Sequence, residues 1–285
     1  MYMHQPKGFT KRGEENLVWK LDKSIYGLKQ SGQVWHETMR REMERISFTP
    51  RKADPTIYIW LGNNGEIGIA GWFVDNGLPA ANSIEMMAKI VMDIKGSFNI
   101  EDLGEPTQLL GIKISRNHEL GTIHISQPSF IDTIAKWFKI SLGHGIHAAL
   151  IGSVNYCVVS TCPDITYTTN KCTQYASKPN VWHWEVVKRI IRYLLQTKEY
   201  GISYQREGQG IKGYAHSLAG FTDVNFTGNK DNPKSTSSWL FTISGAPILW
   251  ASKKQQLMSR SSMESKLIAG SFTSAEGMWL NKLGC

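Results

Sequence analysis

One stretch of the chain, residues 66–80, constrains the fold more than any other. Up to Val74, apolar side chains occupy both sets of alternating positions, which predicts a β-strand with apolar residues on both faces. Asp75 follows, and then Asn76-Gly77, a pair that predicts a tight hairpin turn because both residues tolerate positive φ. A carboxylate at the apex of a buried hairpin needs a metal ion or another cation beside it. An ordinary surface turn that contains an aspartate is the alternative.

Four further segments have the apolar spacing of amphipathic helices. Residues 17–47 predict a turn and then a helix, and a second helix is expected from the cap residue Ser83 to Gly96. Helices are also expected after Gln127-Pro128 and after the cap residue Asn180. The side chains expected to face inward are Val34, Trp35, Met39, Met43 and Ile46; Ile84, Met87, Ile90, Val91 and Ile94; Phe130, Ile131, Ile134, Trp137 and Phe138; and Val187, Ile190, Ile191 and Leu194.

The chain is basic and has the composition of a globular protein. Hydrophobic residues make up 41% and charged residues 20%, which excludes a disordered tail. The net charge of +8 fits a polyanionic partner such as nucleic acid, although many basic chains have no such partner. No apolar run approaches the roughly 20 residues that span a bilayer, and the first residues lack the layout of a signal peptide. We therefore expect an intracellular protein, cytoplasmic or nuclear, with reduced cysteines and no membrane partner.

The last third of the chain predicts a boundary, strands and a helix. Residues 207–213 are Gly-rich and polar, which indicates a domain boundary. Residues 231–243 and 247–256 are rich in β-branched and aromatic side chains, so two strands joined at Gly245 are expected there. A helix is expected from Ser261 onwards.

Several blocks of sequence follow one another in a fixed order. They are Tyr26-Gly-Leu-Lys-Gln30 with Trp35 after it, Asp54-Pro55, the box Phe73-Val-Asp-Asn76, Thr161-Cys-Pro-Asp-Ile165, the stretch 218–228 with Asp223 inside it, and the stretch 261–269. This series resembles the reverse transcriptase of copia-type long-terminal-repeat retrotransposons, in which the box reads YVDD. The resemblance covers nearly the whole chain, and its last two blocks are similar to the first strand and a helix of the family's ribonuclease H domain.

The resemblance implies an α+β fold in three parts. Residues 1–140 would form a reverse-transcriptase palm and thumb, truncated at the N-terminus because the family's first metal-binding Asp precedes the region where this chain starts. Residues 141–210 would form a helical connection region. Residues 211–285 would form a partial ribonuclease H-like domain, a three-stranded sheet with a helix, truncated at the C-terminus. The short segment 139–150 indicates a deletion relative to the family.

The resemblance also implies where nucleic acid would bind. It places Lys29 and Gln30 beside the template and the incoming nucleotide, where backbone N–H groups of a helix start and a lysine suit phosphate. A capped helix entrance without a ligand is the alternative. Lys188 and Arg192 lie toward solvent in the helix after Asn180, where a contact with the nucleic-acid backbone competes with an ordinary solvated basic face. The implied partners are an RNA template, a DNA primer and an RNA–DNA hybrid.

The chemistry of the family depends on clustered carboxylates. Its two active sites each hold two Mg²⁺ ions about 3.5–4 Å apart between acidic side chains. By resemblance, Asp75 and Asp223 are the catalytic and metal-binding residues here, with Glu264 a weaker third ligand. Asn76 stands where the family has the second Asp of the box, and Lys266 stands where it has a Glu. A neutral amide is a poor ligand for Mg²⁺ and an ammonium group repels it.

The expected function follows from this loss of negative charge. By resemblance the chain is an RNA-directed DNA polymerase with ribonuclease H, and we expect it to perform neither reaction at a useful rate. Two alternatives remain at this point. The chain could be a non-catalytic remnant that binds nucleic acid, or a decayed reading frame whose product has no stable fold.

Overall fold

The chain folds into two units, residues Met1–Asp102 and Leu103–Cys285. The computed structural model describes residues 2–10, 12–25, 27–63, 65–140, 146–206, 218–228 and 233–284. The boundary expected at residues 207–213 lies outside the described residues. The division into three domains stays a prediction.

The first unit combines short antiparallel strands with two helices in the part of the chain that is described. Its strands β1 and β2 form a two-stranded ribbon, and β3 to β6 form an antiparallel sheet in that order. The elements in chain order are β1 (Tyr2–His4), β2 (Val18–Lys20), α1 (Ser31–Arg45), β3 (Thr49–Pro50), β4 (Ile57–Leu61), β5 (Ile67–Phe73), β6 (Asn76–Ala81) and α2 (Ile84–Ser97).

The four-stranded sheet buries one of its faces. Tyr58 of β4 lies opposite Ala70 of β5, and both belong to a core shared with side chains of α1 and α2. On the other face of β5, Ile67, Ile69 and Phe73 remain exposed. The strand therefore carries apolar residues on both faces, as its sequence predicts, but buries only one of them. The fully buried members of this core are Met39, Met43, Phe48, Tyr58, Ala70, Met86, Ile90 and Ile94.

The start of α2 is confirmed and its predicted end is wrong. Ser83 Oγ accepts a hydrogen bond from the Met86 amide at 3.1 Å, which satisfies one of the free N–H groups of the first turn. Gly96 lies within the helix, which continues to Ser97 and gives way to extended backbone at Phe98. The Phe98 ring packs against this same core, so tertiary packing decides where the helix ends.

The turn of the β5–β6 hairpin lies two residues earlier than predicted. Phe73 pairs with Asn76, and Trp72 pairs with Gly77, so Val74-Asp75 is the two-residue connection. A Cβ atom added to Gly77 would lie 2.5 Å from the Trp72 ring. The glycine therefore allows an indole to lie across the neighbouring strand, a packing role that the turn propensity of Asn-Gly does not reveal.

The second unit contains two antiparallel sheets and five helices among the described residues. One sheet has the strand order β10-β9-β8-β7 and the other has the order β11-β12-β13. The elements are β7 (Gln108–Leu109), β8 (Ile112–Asn117), β9 (Thr122–Ser126), α3 (Pro128–Ile140), α4 (Ile146–Ser160), α5 (Thr166–Thr173), α6 (Val181–Gln196), β10 (Gly201–Gln205), β11 (Ala219–Asn225), β12 (Thr236–Ile243), β13 (Ala246–Lys254) and α7 (Ser262–Leu283), with a 3₁₀ turn at Pro163–Ile165.

Helices α3 to α6 pack around an aliphatic core. All four residues predicted for the inner face of α6 are buried in it, and Ile131 and Ile134 of α3 join them. Asn180 is confirmed as the cap of α6, because its Oδ1 accepts a hydrogen bond from the His183 amide at 3.0 Å. In return, His183 Nδ1 accepts the Asn180 N–H at 3.1 Å, so the cap is reciprocal. Trp137 was predicted to face inward and is exposed.

The C-terminal sheet and helix match the predicted elements. Strands β12 and β13 join through Ser244-Gly245, two residues with positive φ that suit a type I′ hairpin. Helix α7 packs on β11 and β12. On the other side, Trp250 Nε1 donates to the Val158 carbonyl at 2.8 Å and Tyr204 Oη donates to the Pro247 carbonyl at 2.8 Å. These bonds tie the sheet to the helical core of the same unit.

The architecture is a mixture of helices and antiparallel sheets, as an α+β fold predicts. The palm, thumb and ribonuclease H assignments within it remain proposals. No helix in the described ranges has both the length and the apolar character needed to cross a bilayer.

Candidate functional site

Asp75 lies at the apex of the β5–β6 hairpin. Its side chain is exposed, so the cost of burying a charge does not arise at this position. Asn76 Nδ2 donates a hydrogen bond to Asp75 Oδ1 at 3.3 Å. An amide therefore contacts the carboxylate in the place where the family has a second carboxylate.

The backbone of the turn is held in an unusual conformation. Val74 has φ of 57°, a left-handed value that is rare for a β-branched residue. Such strain costs on the order of 1–3 kcal/mol and persists only where the surroundings fix it. Trp35 Nε1 donates to the Val74 carbonyl at 2.5 Å, which ties helix α1 to the turn. The Trp35 ring also packs against Phe98, with ring centroids 5.7 Å apart.

A cavity of about 580 Å³ lies between this turn and the start of α1. It brings together two sequence blocks that are some 45 residues apart, since the Gly27-Leu28 block and Asp75 both line it. Lys29 and Gln30 are exposed and are not part of the lining. The residues that line it are Ser24, Ile25, Gly27, Leu28, Ser31, Gly32, Trp35, His36, Met39, Thr56, Tyr58, Trp72, Val74 and Asp75.

The cavity wall contains polar groups that are buried without a hydrogen-bond partner. Among the described residues these include His36 Nε2, Tyr58 Oη and Trp72 Nε1. Burial raises the pKa of the Tyr58 phenol, and the nearby carboxylate of Glu44 raises it further. The rest of the wall is mainly apolar and aromatic, and Asp75 is its acidic residue. A flat ring therefore fits this cavity better than a second charged group does.

The two acidic residues of the second predicted site, Asp223 and Glu264, lie on different elements and have different surroundings. Asp223 lies on β11 opposite Ser238, with its side chain exposed. Glu264 caps the start of α7 instead, because its Oε2 accepts the Arg260 N–H at 2.6 Å while its own N–H donates to Ser261 Oγ at 3.1 Å.

The carboxylates that are present do not fit a pair of Mg²⁺ ions. Within the described ranges, no group of three or more His, Cys, Asp or Glu side chains is close enough to hold a metal. Asp75 is bonded to an amide and Glu264 to a backbone N–H, so two of the three predicted ligands already serve another contact. We derive no step through bound metal for this chain.

The basic residues predicted for α6 are partly occupied. Lys188 Nζ lies 2.7 Å from Glu185 Oε1 and 5.8 Å from the centre of the Trp184 ring. Arg192 is exposed. Trp182 was not among the predicted site residues, and it is 78% exposed on the same helix. The sequence did contain a signal for it, because a tryptophan outside the inner stripe of an amphipathic helix is expected to be exposed to solvent.

Comparison with known proteins gives a consistent result. The reverse transcriptase (RNA-dependent DNA polymerase) family matches residues 1–151. The retrovirus-related Pol polyprotein from transposon TNT 1-94 of Nicotiana tabacum is 29% identical over 99% of this chain and 23% of its own length. The corresponding polyprotein from transposon RE1 of Arabidopsis thaliana is 30% identical over 99% of this chain and 20% of its own length. A putative transposon Ty5-1 protein of Saccharomyces cerevisiae is 26% identical, over 97% of this chain and 95% of its own.

The likeness extends well beyond the polymerase match. The three relatives align with both units, although the chain spans only about a fifth of the length of the two plant polyproteins. No solved structure matches the chain. The blocks quoted above and the family match over residues 1–151 agree, so the chain belongs to the reverse transcriptase family, in the branch of copia-type retrotransposon Pol polyproteins.

Proposed function

We propose that this chain is a nucleic-acid-binding relative of RNA-directed DNA polymerase whose chemistry is strongly weakened. The reaction it derives from is template-directed nucleotidyl transfer, with cleavage of RNA in an RNA–DNA hybrid by the C-terminal part. The observation that carries the proposal is the cavity, in which the Gly27-Leu28 block and Asp75 meet. The start of α1 supplies free backbone N–H groups at its edge, and Lys29 and Gln30 are exposed close by in sequence.

The weakening has an electrostatic cause at both places. Mg²⁺ is a hard cation that takes oxygen ligands, and two such ions in one site require clustered negative charge. Asn76 supplies an amide beside Asp75, and Lys266 adds a positive charge two residues after Glu264 on α7. We infer that Asp75, Asp223 and Glu264 alone do not assemble two efficient metal sites.

Metal binding and primer extension test the polymerase part. We expect the unaltered chain to extend a primed RNA template in Mg²⁺ or Mn²⁺ no faster than Asp75→Ala. Asn76→Asp restores the second carboxylate of the box, and we expect it to bind Mn²⁺ more tightly, measured by electron paramagnetic resonance. Asn99→Asp, which adds the same charge at an exposed position, is the matched control. Extension by the unaltered chain well above the Asp75→Ala background would show that the chemistry is intact.

Hybrid cleavage tests the C-terminal part. We expect no release of labelled RNA fragments from an RNA–DNA hybrid by the unaltered chain, because Lys266 puts a positive charge where the family has a Glu. Lys266→Glu is the informative variant and Lys282→Glu, near the end of the same helix, is its control for net charge. Cleavage that is abolished by Asp223→Ala in the unaltered chain would contradict the proposal.

A second candidate function is nucleic-acid binding with no catalysis at all. The net charge of +8 favours it, since a polyanion would be attracted without any metal site. Affinity for a primed template should then fall linearly with salt on logarithmic axes. Absence of any shift in a gel assay at low salt would remove this candidate.

A melt without cooperativity would favour the third possibility, a product without a stable fold. We place the protein inside the cell, which a fluorescent fusion would test.

A further inference from the structure

The segment from Thr166 to Lys198 has a strongly basic balance of charge. It contains six Lys or Arg residues and one acidic residue, Glu185, so its net charge is +5, compared with +8 for all 285 residues. Glu185 is paired with Lys188, and Lys198 lies 3.2 Å from a carboxylate oxygen of Asp132. The basic residues of the segment are Lys171, Lys178, Lys188, Arg189, Arg192 and Lys198.

Two of these cations lie on the same side of α6 as an exposed tryptophan. Trp182, Val186 and Arg189 follow one another at spacings of four and three, which places them on one line of the helix, and Arg192 is three residues further. All four are exposed, while the opposite side of α6 is buried in the helical core. Neither arginine forms an ion pair with an acidic side chain in the described part of the chain. We call these four residues the outer face of α6.

Trp182 is the most exposed tryptophan among the described residues, at 78%. Its position is nevertheless well defined, because it lies in the first turn of α6 behind the reciprocal bonds of Asn180 and His183. The His183 ring in turn stacks on Tyr175, with centroids 4.1 Å apart and planes 17° apart. The indole is therefore presented to solvent on a fixed backbone, which lowers the entropy cost of binding.

The chemistry of this face selects the partner. An indole face stacks on any nucleic-acid base, and guanidinium groups about two and three helical turns away neutralise phosphates further along the same strand. A duplex offers phosphates but keeps its bases stacked on each other, so only an unpaired strand offers the indole a base. A protein partner would equally bury Val186 and Trp182, but it would not explain the excess of unpaired cations around them.

We propose that the outer face of α6 binds a single-stranded segment of RNA or DNA. Trp182 stacks on one base, and Arg189 and Arg192 contact phosphates further along the strand, on one side of that base. This inference rests on the proposed nucleic-acid function and adds a site in the second unit, defined by residues that do not line the cavity at Asp75.

The test compares an unpaired strand with a blunt-ended primed template, in which the primer pairs with the whole template and leaves no base unpaired. Both are measured with the full chain by fluorescence anisotropy. We expect Trp182→Ala to weaken binding of a labelled 20-nucleotide oligouridine about tenfold, within the range for loss of one stacked base. Its salt dependence should stay unchanged, because the indole touches no phosphate. Arg189→Gln should reduce the slope of log affinity against log salt by about 0.7, the value for one phosphate of a single strand. Binding of the primed template should change little in either variant.

Matched variants separate stacking from loss of structure. Trp182→Phe keeps an aromatic face and should retain most of the affinity. Trp137→Ala removes an exposed tryptophan from α3, and Arg260→Gln removes an exposed arginine near α7, and neither should have an effect. Circular dichroism shows whether each variant keeps its helices.

Each outcome decides the inference. Unchanged oligouridine binding in Trp182→Ala, or an equal loss in Trp137→Ala, overturns it while leaving the proposed function standing if the primed template still binds. A change in sedimentation coefficient in Trp182→Ala without a change in oligouridine affinity also overturns it and identifies a protein-docking face. Failure of the unaltered chain to bind either nucleic acid at low salt refutes the proposed function together with this site.

Discussion

The reciprocal cap of α6 gives a stability prediction that can be worked out from its geometry. Asn180→Ala removes the Oδ1 acceptor that lies 3.0 Å from the His183 amide, and it leaves that N–H to water. Loss of such a cap costs about 1 kcal/mol, with a range of roughly 0.5–2. For a unit in the range of 150–250 residues, 1 kcal/mol corresponds to a fall in Tm of about 2–4 °C. Asn180→Asp keeps an acceptor at the helix start and should stay close to the unaltered chain.

The assay must report on α6 itself, because two units need not unfold in one transition. Hydrogen–deuterium exchange of peptides from α6 measures its local opening, which should become about fivefold more frequent in Asn180→Ala. Asn281→Ala is the matched control, because Asn281 is exposed near the end of α7 in the same unit. Exchange and Tm that are equal in the two alanine variants would refute the assignment of the cap.

Three further outcomes are expected from the second unit. Leu194→Ala creates a cavity in the helical core and should cost about 2–5 kcal/mol in unfolding free energy by urea titration, whereas Leu267→Ala at an exposed position should cost little. Gly201→Ala would place a Cβ atom 2.0 Å from the Ile125 carbonyl oxygen, so the β9–β10 pairing should open, visible as lost amide protection. Burial raises the pKa of the Cys157 thiol to about 12 from its usual 9.0, so it should resist a thiol reagent at pH 8 until denaturant is added. The folded state then holds this proton more tightly than the unfolded state, so its contribution to stability should fall as pH rises above 9.0.

Much of the helical structure follows from local sequence patterns. The inner face of α6 was predicted residue by residue because its apolar spacing, cap and length agree with each other. The start of α2 was predicted for the same reason, since Ser83 precedes an apolar stripe. Ile84 was assigned to that stripe and is exposed, while Met86 is buried. The sheet that packs against a helix decides which of its apolar residues face the core. That information is not present in the sequence of the helix itself.

The hairpin shows where local propensity fails. Gly68 of β5 lies against Ile90 of α2, and a Cβ atom added to it would clash with that side chain at 2.7 Å. The contact with α2 therefore constrains the register of β5. That register makes Trp72 pair with Gly77 and leaves Val74-Asp75 to form the turn. The strain at Val74 and the bond from Trp35 are contacts between distant segments, and they define the candidate site. The sequence identified Asp75 and placed Trp35 on the inner side of α1, but it did not show that this indole bonds to the backbone before Asp75.

The site predictions depend in the same way on long-range contacts. The blocks around Gly27 and Asp75 were expected to share a site, and they line one cavity. Glu264 was considered a weak ligand by resemblance to the family's helix, but its position three residues after Ser261 makes it part of a helix cap. Whether Asp75, Asp223, Lys29, Gln30, Lys188 and Arg192 act on nucleic acid stays a prediction.

The methionines in the core of the first unit have a consequence for how its sequence can change. Met39, Met43 and Met86 fill the space between the sheet and both helices. Thioether side chains are unbranched and adapt their shape, so a neighbouring residue can be exchanged for a larger or smaller one with little rearrangement. The scaffold under the hairpin is thus tolerant of drift. Because these three sulfur atoms are buried, peroxide should oxidise exposed methionines such as Met92 and Met258 before it reaches this core.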